Sequence, residues 1–154
     1  MSLEIERKFL VKGDFKPHVT KSVRIAQAYL CVSKERTIRV RIKGKEAFLT
    51  IKGASDSNGF ARQEFEYPVP VGDAREMMAL SPFPMIEKER CYVPFGKHTY
   101  EVDIFHGVNE GFVLAELELE SESESFERPD WLGEEVTGDL RYYNAFMAQT
   151  SSRS

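Results

Sequence analysis

The stretch Ala115-Glu116-Leu117-Glu118-Leu119-Glu120 alternates apolar and acidic side chains over six residues. Successive side chains of a β-strand point to opposite faces, so this alternation predicts a strand with one apolar and one acidic face. The same period-two pattern recurs along the chain. It predicts eight strands, at Leu3–Leu10, Val23–Val32, Thr37–Lys43, Ala47–Ile51, Arg62–Val69, Met85–Val93, His98–Phe105 and Val113–Glu120.

Short connections separate the predicted strands. Lys43-Gly44-Lys45 and Phe95-Gly96-Lys97 predict tight hairpins, and Gly53–Gly59 predicts a flexible loop. Because the strands follow one another without a βαβ rhythm, the pattern favours an antiparallel barrel or sandwich. A few short helices accompany the strands: one at Asp73–Leu80, one from the capping box at Ser121 to Arg128, and a C-terminal one from Asp139 to about Gln149, before a frayed tail at Thr150–Ser154.

The composition limits the class of protein. The chain has 154 residues, a net charge of −4, 42% hydrophobic and 30% charged residues, which suits one globular domain. The apolar fraction is too high for a disordered chain, and we expect neither a membrane helix nor a secretory leader. The acidic excess argues against electrostatic binding of nucleic acid. Isolated cysteines, Cys31 and Cys91, suit a reducing compartment, so we expect a cytoplasmic protein.

The polar faces of the predicted strands are unusually rich in ionised groups. Acidic rows and basic rows alternate from strand to strand, and several rows place like charges two residues apart on one face. Such rows repel unless opposite charge lies between them. The acidic rows contain Glu4 and Glu6, Glu64 and Glu66, Glu101 and Asp103, and Glu116, Glu118 and Glu120; the basic rows contain Arg39 and Arg41, Lys52, and Lys88 and Arg90.

Two interpretations fit these charged rows. For any single strand, a face exposed to solvent is the simpler one, because charged residues mostly lie outside. The other is a closed barrel whose charged rows point into a wet interior, where each charge finds a counter-charge. Carboxylates then suit a hard divalent cation such as Mg²⁺ or Mn²⁺, and Arg and Lys suit phosphate oxygens. Together they indicate a metal-chelated polyphosphate as the ligand.

A family resemblance agrees with the second interpretation. Glu4-Ile5-Glu6-Arg7-Lys8 resembles the N-terminal ExExK signature of the CYTH superfamily, the triphosphate tunnel metalloenzymes. Further motifs follow in the order of that family, and the resemblance to its short single-domain bacterial members covers nearly the whole chain. These motifs are Arg39-Val-Arg41, Thr50-Ile-Lys52-Gly53, Arg62-Gln-Glu64-Phe-Glu66-Tyr67, Glu87-Lys88-Glu-Arg90, Glu101-Val-Asp103, Glu116-Leu-Glu118 and the stretch from Trp131 to Asp139.

The resemblance implies a fold and an activity. It implies one domain over residues 1–149, built as an eight-stranded antiparallel β-barrel with a few peripheral helices and a C-terminal helix. The implied activity is metal-dependent hydrolysis of a small-molecule triphosphate, foremost inorganic tripolyphosphate. Thiamine triphosphatase and class IV-type adenylate cyclase remain alternatives that use the same site, and a non-catalytic polyphosphate- or nucleotide-binding module is a third. We expect a monomer or a homodimer.

The resemblance also assigns residues, by motif position. Lys8, Arg39, Arg41, Lys52, Lys88 and Arg90 would bind the triphosphate, and of these Arg39, Arg41, Lys52 and Lys88 are the catalytic candidates. Glu4, Glu6, Glu116 and Glu118 would hold Mg²⁺ or Mn²⁺, one or two ions, with Glu64, Glu66 and Asp103 as a possible second site. With Glu120 added, eight acidic groups face six basic ones, so we expect a slightly acidic lumen without metal.

The C-terminal region departs from the family pattern. Leu140 stands where the family often has Pro, and Asn144-Ala-Phe-Met147 stands where it often has Asn-Ser-Asn-Leu. We therefore assign no catalytic role to the last predicted helix.

Overall fold

Eight antiparallel strands close into a barrel in the computed structural model, which describes residues 2–56 and 61–151. Neighbouring strands around the barrel follow the order β5-β4-β3-β2-β6-β7-β8-β1, and pairing of β1 with β5 closes it. The eight strands are β1 (Ser2–Val11), β2 (Lys21–Val32), β3 (Arg36–Lys43), β4 (Glu46–Gly53), β5 (Ala61–Val69), β6 (Ile86–Phe95), β7 (His98–His106) and β8 (Val113–Glu118).

Shorter elements lie outside this ring of strands. A ninth strand, β9 (Leu132–Glu135), pairs with the end of β1 at Phe9 and Val11. The helices are α1 (Val71–Met78) and α2 (Asn144–Ser151), with 3-10 turns at Lys16–His18, Gly107–Asn109 and Leu140–Tyr142. No helix within the described residues is long and apolar enough to cross a membrane.

The barrel and the strand positions predicted from the alternation are confirmed. Each of the eight predicted strands is present, with ends shifted by no more than two residues. The hairpins at Gly44 and Gly96 are also present, and both glycines adopt a φ of 62°, a left-handed conformation that glycine reaches without a steric penalty. Part of the predicted Gly53–Gly59 loop, residues 57–59, lies outside the described residues, as do residues 152–154 of the predicted tail.

One predicted helix is absent, and one predicted strand end and two predicted helix starts are wrong. The segment from Ser121 to Arg128 forms turns rather than a helix, because it is tied to the barrel: Tyr100 Oη donates to Glu127 O at 2.5 Å, and Glu124 pairs with His98 at 2.6 Å. Strand β8 ends at Glu118, so Glu120 is exposed to solvent and is not part of the lumen.

The two remaining helix starts also differ from the prediction. Helix α1 begins at Val71 after Pro70 rather than at Asp73. Asp139 accepts a hydrogen bond from the Arg141 backbone N–H, but it caps only the 3-10 turn, and α2 begins at Asn144. The prediction also missed β9, because four residues are too few to display an alternation.

Apolar residues cover the outside of the barrel on two sides. On one side Trp131 packs edge-on against Tyr100, with ring centroids 5.4 Å apart, over a cluster that includes Phe9, Val102 and Leu117. On the other side α1 places Ala74 and Met78 against outward-facing residues of β2, β3 and β4. The charged rows therefore face inward, since the apolar rows of the same strands are occupied by this outer packing.

The inner face is apolar at one end of the barrel. There Tyr29, Ile86, Phe105 and Leu114, which share the inward parity of the charged rows, pack together with Met147 of α2. We call this cluster the apolar floor, and the charged side chains occupy the rest of the inner face.

Trp131 tests the outer packing. Trp131→Ala removes a ring that is 5% exposed, so we expect a loss of about 3–5 kcal/mol in the free energy of unfolding. The measurement is urea denaturation followed by circular dichroism, because the change removes the single tryptophan of the chain. Leu80→Ala, at a side chain 75% exposed, is the control and should change stability by less than about 0.5 kcal/mol. Equal effects of the two changes would contradict this packing.

Candidate active site

A charged cavity of about 210 Å³ occupies the barrel interior. Its lining includes eight basic and seven acidic side chains, so the lumen is close to balanced and not slightly acidic as expected. The basic ones are Lys8, Arg39, Arg41, Lys43, Lys52, Arg62, Lys88 and Arg90, and the acidic ones are Glu4, Glu6, Glu64, Glu66, Glu101, Glu116 and Glu118.

The two charge types lie on opposite parts of the barrel wall. Strands β3, β2 and β6 are neighbours, and they carry Arg39, Arg41, Lys88 and Arg90; we call this the basic wall. Strands β8, β1 and β5 are also neighbours, and they carry the acidic wall, which consists of Glu4, Glu6, Glu64, Glu66, Glu116 and Glu118.

Lysines lie between the carboxylates of the acidic wall. Lys8 Nζ contacts Glu6 Oε1 at 3.0 Å and Glu116 Oε1 at 3.1 Å, which joins β1 to β8. Lys52 Nζ reaches across from β4 and contacts the two carboxylate oxygens of Glu4 at 2.8 and 2.9 Å. Burial raises the pKa of Glu4, but the charge and hydrogen bonds of Lys52 together with the Arg62 charge outweigh it, and the resulting pKa is about 2. These contacts explain how like charges coexist on adjacent strands.

The positive charge near Glu6 does not offset the burial of its carboxyl and the neighbouring negative charge. Burial, followed by the neighbouring Glu116 charge, raises the pKa of Glu6 to about 8, although Lys8 opposes the shift. Burial also raises the pKa of Glu116, but Lys8 and Arg90 outweigh it and hold that pKa well below its usual value. At neutral pH the pair therefore shares a proton, and added positive charge would release it.

The side chains of the acidic wall are of the type that binds divalent cations. Its donors are carboxylate oxygens, which hard cations such as Mg²⁺ prefer, and the pair of Glu6 and Glu116 is short of positive charge. Within residues 2–56 and 61–151, no three acidic, histidine or cysteine side chains converge closely enough to hold an ion as they stand. Lys8 Nζ lies between Glu6 and Glu116, in contact with both.

The basic wall is organised around one carboxylate, Asp103. It is fully buried and accepts a bidentate pair of bonds from Arg90, at 2.8 and 2.9 Å. Lys88 Nζ contacts the same carboxylate at 2.7 Å. Burial raises the pKa of Asp103, but Arg90 and Lys88 outweigh it and bring the pKa to about 2. Asp103 does not line the cavity, and both of its oxygens are engaged by Arg90 and Lys88, which do line it.

The cations of the basic wall are only partly compensated, although Lys88 contacts Asp103 and an Arg39 guanidinium nitrogen lies 3.7 Å from a Glu66 carboxylate oxygen. Burial lowers the pKa of Lys88 to about 7, and the charges of Arg90 and Arg41 add to the decrease. Burial and the charges of Arg39 and Arg90 lower the pKa of Arg41 as well. The buried Nε of Arg39 has no hydrogen-bond partner among the described residues. This wall can therefore receive an anion that supplies several negatively charged oxygens.

The structure brings together all the predicted site residues except Asp103, and it adds others. Arg62 and Glu101 share the inward parity of Glu64 and Asp103, so strict use of that parity would have found them. Tyr143 and Asn144 also line the cavity, and they come from the predicted last helix, to which the sequence analysis assigns no catalytic role. No alternation marks that segment, because it carries turns and a helix rather than a barrel strand.

Comparisons with known proteins identify the family. An inorganic triphosphatase of Acetivibrio thermocellus is 46% identical over 150 residues, which cover 97% of this chain and 95% of the relative. An inorganic triphosphatase of Nitrosomonas europaea is 35% identical, covering 94% and 96%. A crystal structure of an inorganic triphosphatase matches with a TM-score of 0.68 and 32% identity, covering 96% of this chain and 95% of that one. The model of the CYTH domain matches residues 2–153, and the chain therefore belongs to the CYTH domain family.

Proposed function

We propose that this protein hydrolyses inorganic tripolyphosphate to pyrophosphate and phosphate, with the help of a divalent metal ion. The observation that carries the proposal is the pairing of a basic wall and an acidic wall in one cavity. A pure anion-binding site would have little use for the acidic wall. Full-length relatives that are inorganic triphosphatases support the same activity.

The basic wall would bind the phosphate chain. Arg39 and Arg41 from β3 and Lys88 and Arg90 from β6 reach the cavity from two strands on either side of β2. Guanidinium groups match pairs of phosphate oxygens, and ammonium groups supply point charges. Lys8 and Lys52, which already bridge to carboxylates, would bind the chain on the acidic side.

The acidic wall would hold the metal ion. Glu4, Glu6, Glu116 and Glu118 are the proposed ligands for Mg²⁺ or Mn²⁺, and Glu64 and Glu66 of β5 are the proposed ligands for a second ion. When bound, the ion supplies neutralisation of phosphate charge and can lower the pKa of a bound water. Family membership supports dependence on a divalent metal, and the proposal here concerns which ion and which residues.

Asp103 has a different proposed role from the one implied by the family resemblance. Both of its oxygens are occupied by Arg90 and Lys88, and it lies behind the cavity lining. We infer that it positions these two cations rather than binding a second metal ion.

The reaction adds water across a phosphoanhydride bond. Phosphoryl transfer depends mainly on positioning and charge stabilisation, and it needs no covalent nucleophile from the protein. Arg39, Arg41 and Lys52 would stabilise charge that develops on the phosphoryl and leaving oxygens. Lys88 would either bind a phosphate oxygen or orient the attacking water. We further propose a cytoplasmic location, from the isolated cysteines, and a monomeric or homodimeric state.

The substrate assay tests this proposal directly. The protein is incubated with tripolyphosphate, ATP or thiamine triphosphate, with Mg²⁺ or Mn²⁺, and released phosphate is measured. We expect hydrolysis of tripolyphosphate to be the fastest and to stop when EDTA removes the metal. Tight binding of every compound without turnover under either metal would contradict the proposal and favour a binding module.

A pair of substitutions in one stretch tests the acidic wall. Glu116→Gln removes a buried carboxylate from the cavity, and we expect the hydrolysis rate to fall by roughly 100-fold or more because metal binding is weakened. Glu120→Gln removes the same charge four residues away, outside the cavity, and should leave the rate unchanged. Melting temperatures measured for both variants show whether the fold is retained. A fully active Glu116→Gln variant would exclude Glu116 as a ligand.

Asp103→Asn distinguishes a positioning group from a metal ligand. The change leaves Lys88 and Arg90 without their buried counter-charge, so we expect a loss of about 3–5 kcal/mol in unfolding free energy at pH 7. The affinity for Mn²⁺, measured by calorimetry, should stay unchanged.

The pH dependence of this stability difference has a defined sign. The folded-state pKa of Asp103 is about 2, below its value near 3.8 in an unfolded chain. The carboxylate therefore stabilises the fold above about pH 4, and this contribution disappears as pH falls towards 2. We expect the wild type and Asp103→Asn to converge in acid-denaturation experiments. If the Asp103→Asn variant loses Mn²⁺ affinity but keeps its stability, Asp103 is a metal ligand and not a positioning group.

A further inference from the structure

A chain of buried hydrogen bonds joins two cations of the basic wall through two neutral amides. Arg41 Nε donates to Gln27 Oε1 at 2.8 Å, and Gln27 Nε2 donates to Asn144 Oδ1, also at 2.8 Å. Lys88 Nζ donates to the same Asn144 oxygen at 2.7 Å. Gln27 comes from β2, between the strands that carry Arg41 and Lys88, and Asn144 is the first residue of α2.

The direction of every bond in this chain is fixed by chemistry. Arg41 and the ammonium form of Lys88 can only donate, so Gln27 must turn its oxygen towards Arg41 and Asn144 must turn its oxygen towards the Lys88 ammonium. Gln27 then has only its amide N–H to offer to Asn144. Because two donors occupy the lone pairs of Asn144 Oδ1, neither amide can flip without breaking a bond to a buried cation.

Asn144 is itself held firmly in place. The preceding Tyr143 lies with its ring 4.7 Å from Lys8 Nζ, and its hydroxyl accepts a bond from the Gly138 backbone N–H at 3.1 Å. Met147, one turn later in α2, packs in the apolar floor. The segment is therefore anchored on both sides of Asn144.

The charges around this chain of hydrogen bonds account for its neutral amides. Beside burial, the charges of Arg90 and Arg41 lower the pKa of Lys88, and the Arg90 charge also lowers the pKa of Arg41. The fully buried Asp103 contacts Lys88 and Arg90 but not Arg41. Neutral amide oxygens hold such cations without cancelling their charge, whereas a further carboxylate would neutralise a site meant for an anion.

We propose that Gln27 and Asn144 are positioning residues that form an amide bridge, which sets Arg41 and Lys88 at the spacing required by the phosphate chain. This inference rests on the proposed function and extends it to two neutral residues, one of them in the C-terminal segment. Gln27 is 0% exposed, so it acts only through its neighbours.

The experiment compares variants of similar size at both positions. Gln27→Met and Asn144→Leu remove the amides, and we expect kcat/KM for tripolyphosphate to fall by about 30- to 100-fold in each, because misplaced cations stabilise the transition state poorly. Asn144→Asp keeps an oxygen at the shared position, so kcat should stay within about threefold of the wild type while its charge raises KM. The double variant should lose no more than the worse single variant, because both changes break the same bridge.

Controls separate positioning from folding. Gln63→Met makes the same chemical change at an exposed residue and should leave kcat/KM at the wild-type value. Melting temperatures show whether each variant is folded at the assay temperature. A purely structural role for the amides would not predict recovery of kcat by Asn144→Asp, nor a double variant equal to a single one.

The outcomes also separate this inference from the proposed function. Calorimetric titration with tripolyphosphate, without added metal, measures anion affinity in every variant independently of turnover. The amide bridge alone would be overturned if folded Gln27→Met and Asn144→Leu kept wild-type turnover and affinity. Multiplicative losses in the double variant would overturn it as well. A wild-type protein that binds tripolyphosphate but hydrolyses no triphosphate would overturn the proposed function, and the bridge is then decided by whether the variants lose affinity. A wild-type protein that neither binds nor hydrolyses it would overturn both.

Discussion

Placing fifteen ionisable side chains around one cavity is the constraint on which the rest of this structure depends. Isolated charges cannot leave water without a large free-energy cost, so each buried one needs a partner from another strand. The barrel provides those partners because neighbouring strands bring different rows together, as Lys8 does between Glu6 and Glu116. The outer packing around Trp131 and under α1 contributes the apolar burial that this polar interior cannot.

The buried charges of the cavity are incompletely compensated. The acidic wall lacks positive charge, and the basic wall lacks negative charge. The acidic wall leaves Glu6 with a pKa raised to about 8, while the basic wall leaves Lys88 with a pKa lowered to about 7. In both cases the side chains of the wall are short of the opposite charge. A metal-bound anion would correct both deficits at once, because the carboxylates suit its cation and the guanidinium and ammonium groups suit its oxygens.

Much of this could be predicted from the sequence, for a definite physical reason. Strand parity depends only on the two-residue period of the backbone, so the rows at Glu4 and Glu6, Arg39 and Arg41, and Glu116 were assigned correctly to one face. Strand parity does not reveal whether an inward side chain reaches the cavity. Asp103 and Glu101 share the inward face of β7, yet Glu101 lines the cavity and the fully buried Asp103 does not. Nor does strand parity extend beyond the end of a strand, which is why Glu120 was misplaced.

Segments outside the barrel were predicted less well, because tertiary contacts decide their conformation. The capping-box pattern at Ser121 is present, and Glu124 does accept a bond from the Glu120 backbone N–H at 2.7 Å. The helix is nevertheless replaced by turns that dock on Tyr100 and His98. Asn144 likewise carries no local signal for its place beside Lys88, since that position depends on how α2 meets β2 and β6.

The apolar floor formed by Tyr29, Ile86, Phe105, Leu114 and Met147 limits how deep a charged ligand can lie in the barrel. The Ile, Phe, Leu and Met side chains offer neither counter-charge nor hydrogen bonds, so an anion beside them would lose its hydration without replacement. The polar contacts of a ligand are therefore confined to the charged part of the cavity. The depth of that part is set where the inward rows change from charged to apolar side chains, as they do between Lys88 and Ile86 on β6 and between Glu116 and Leu114 on β8.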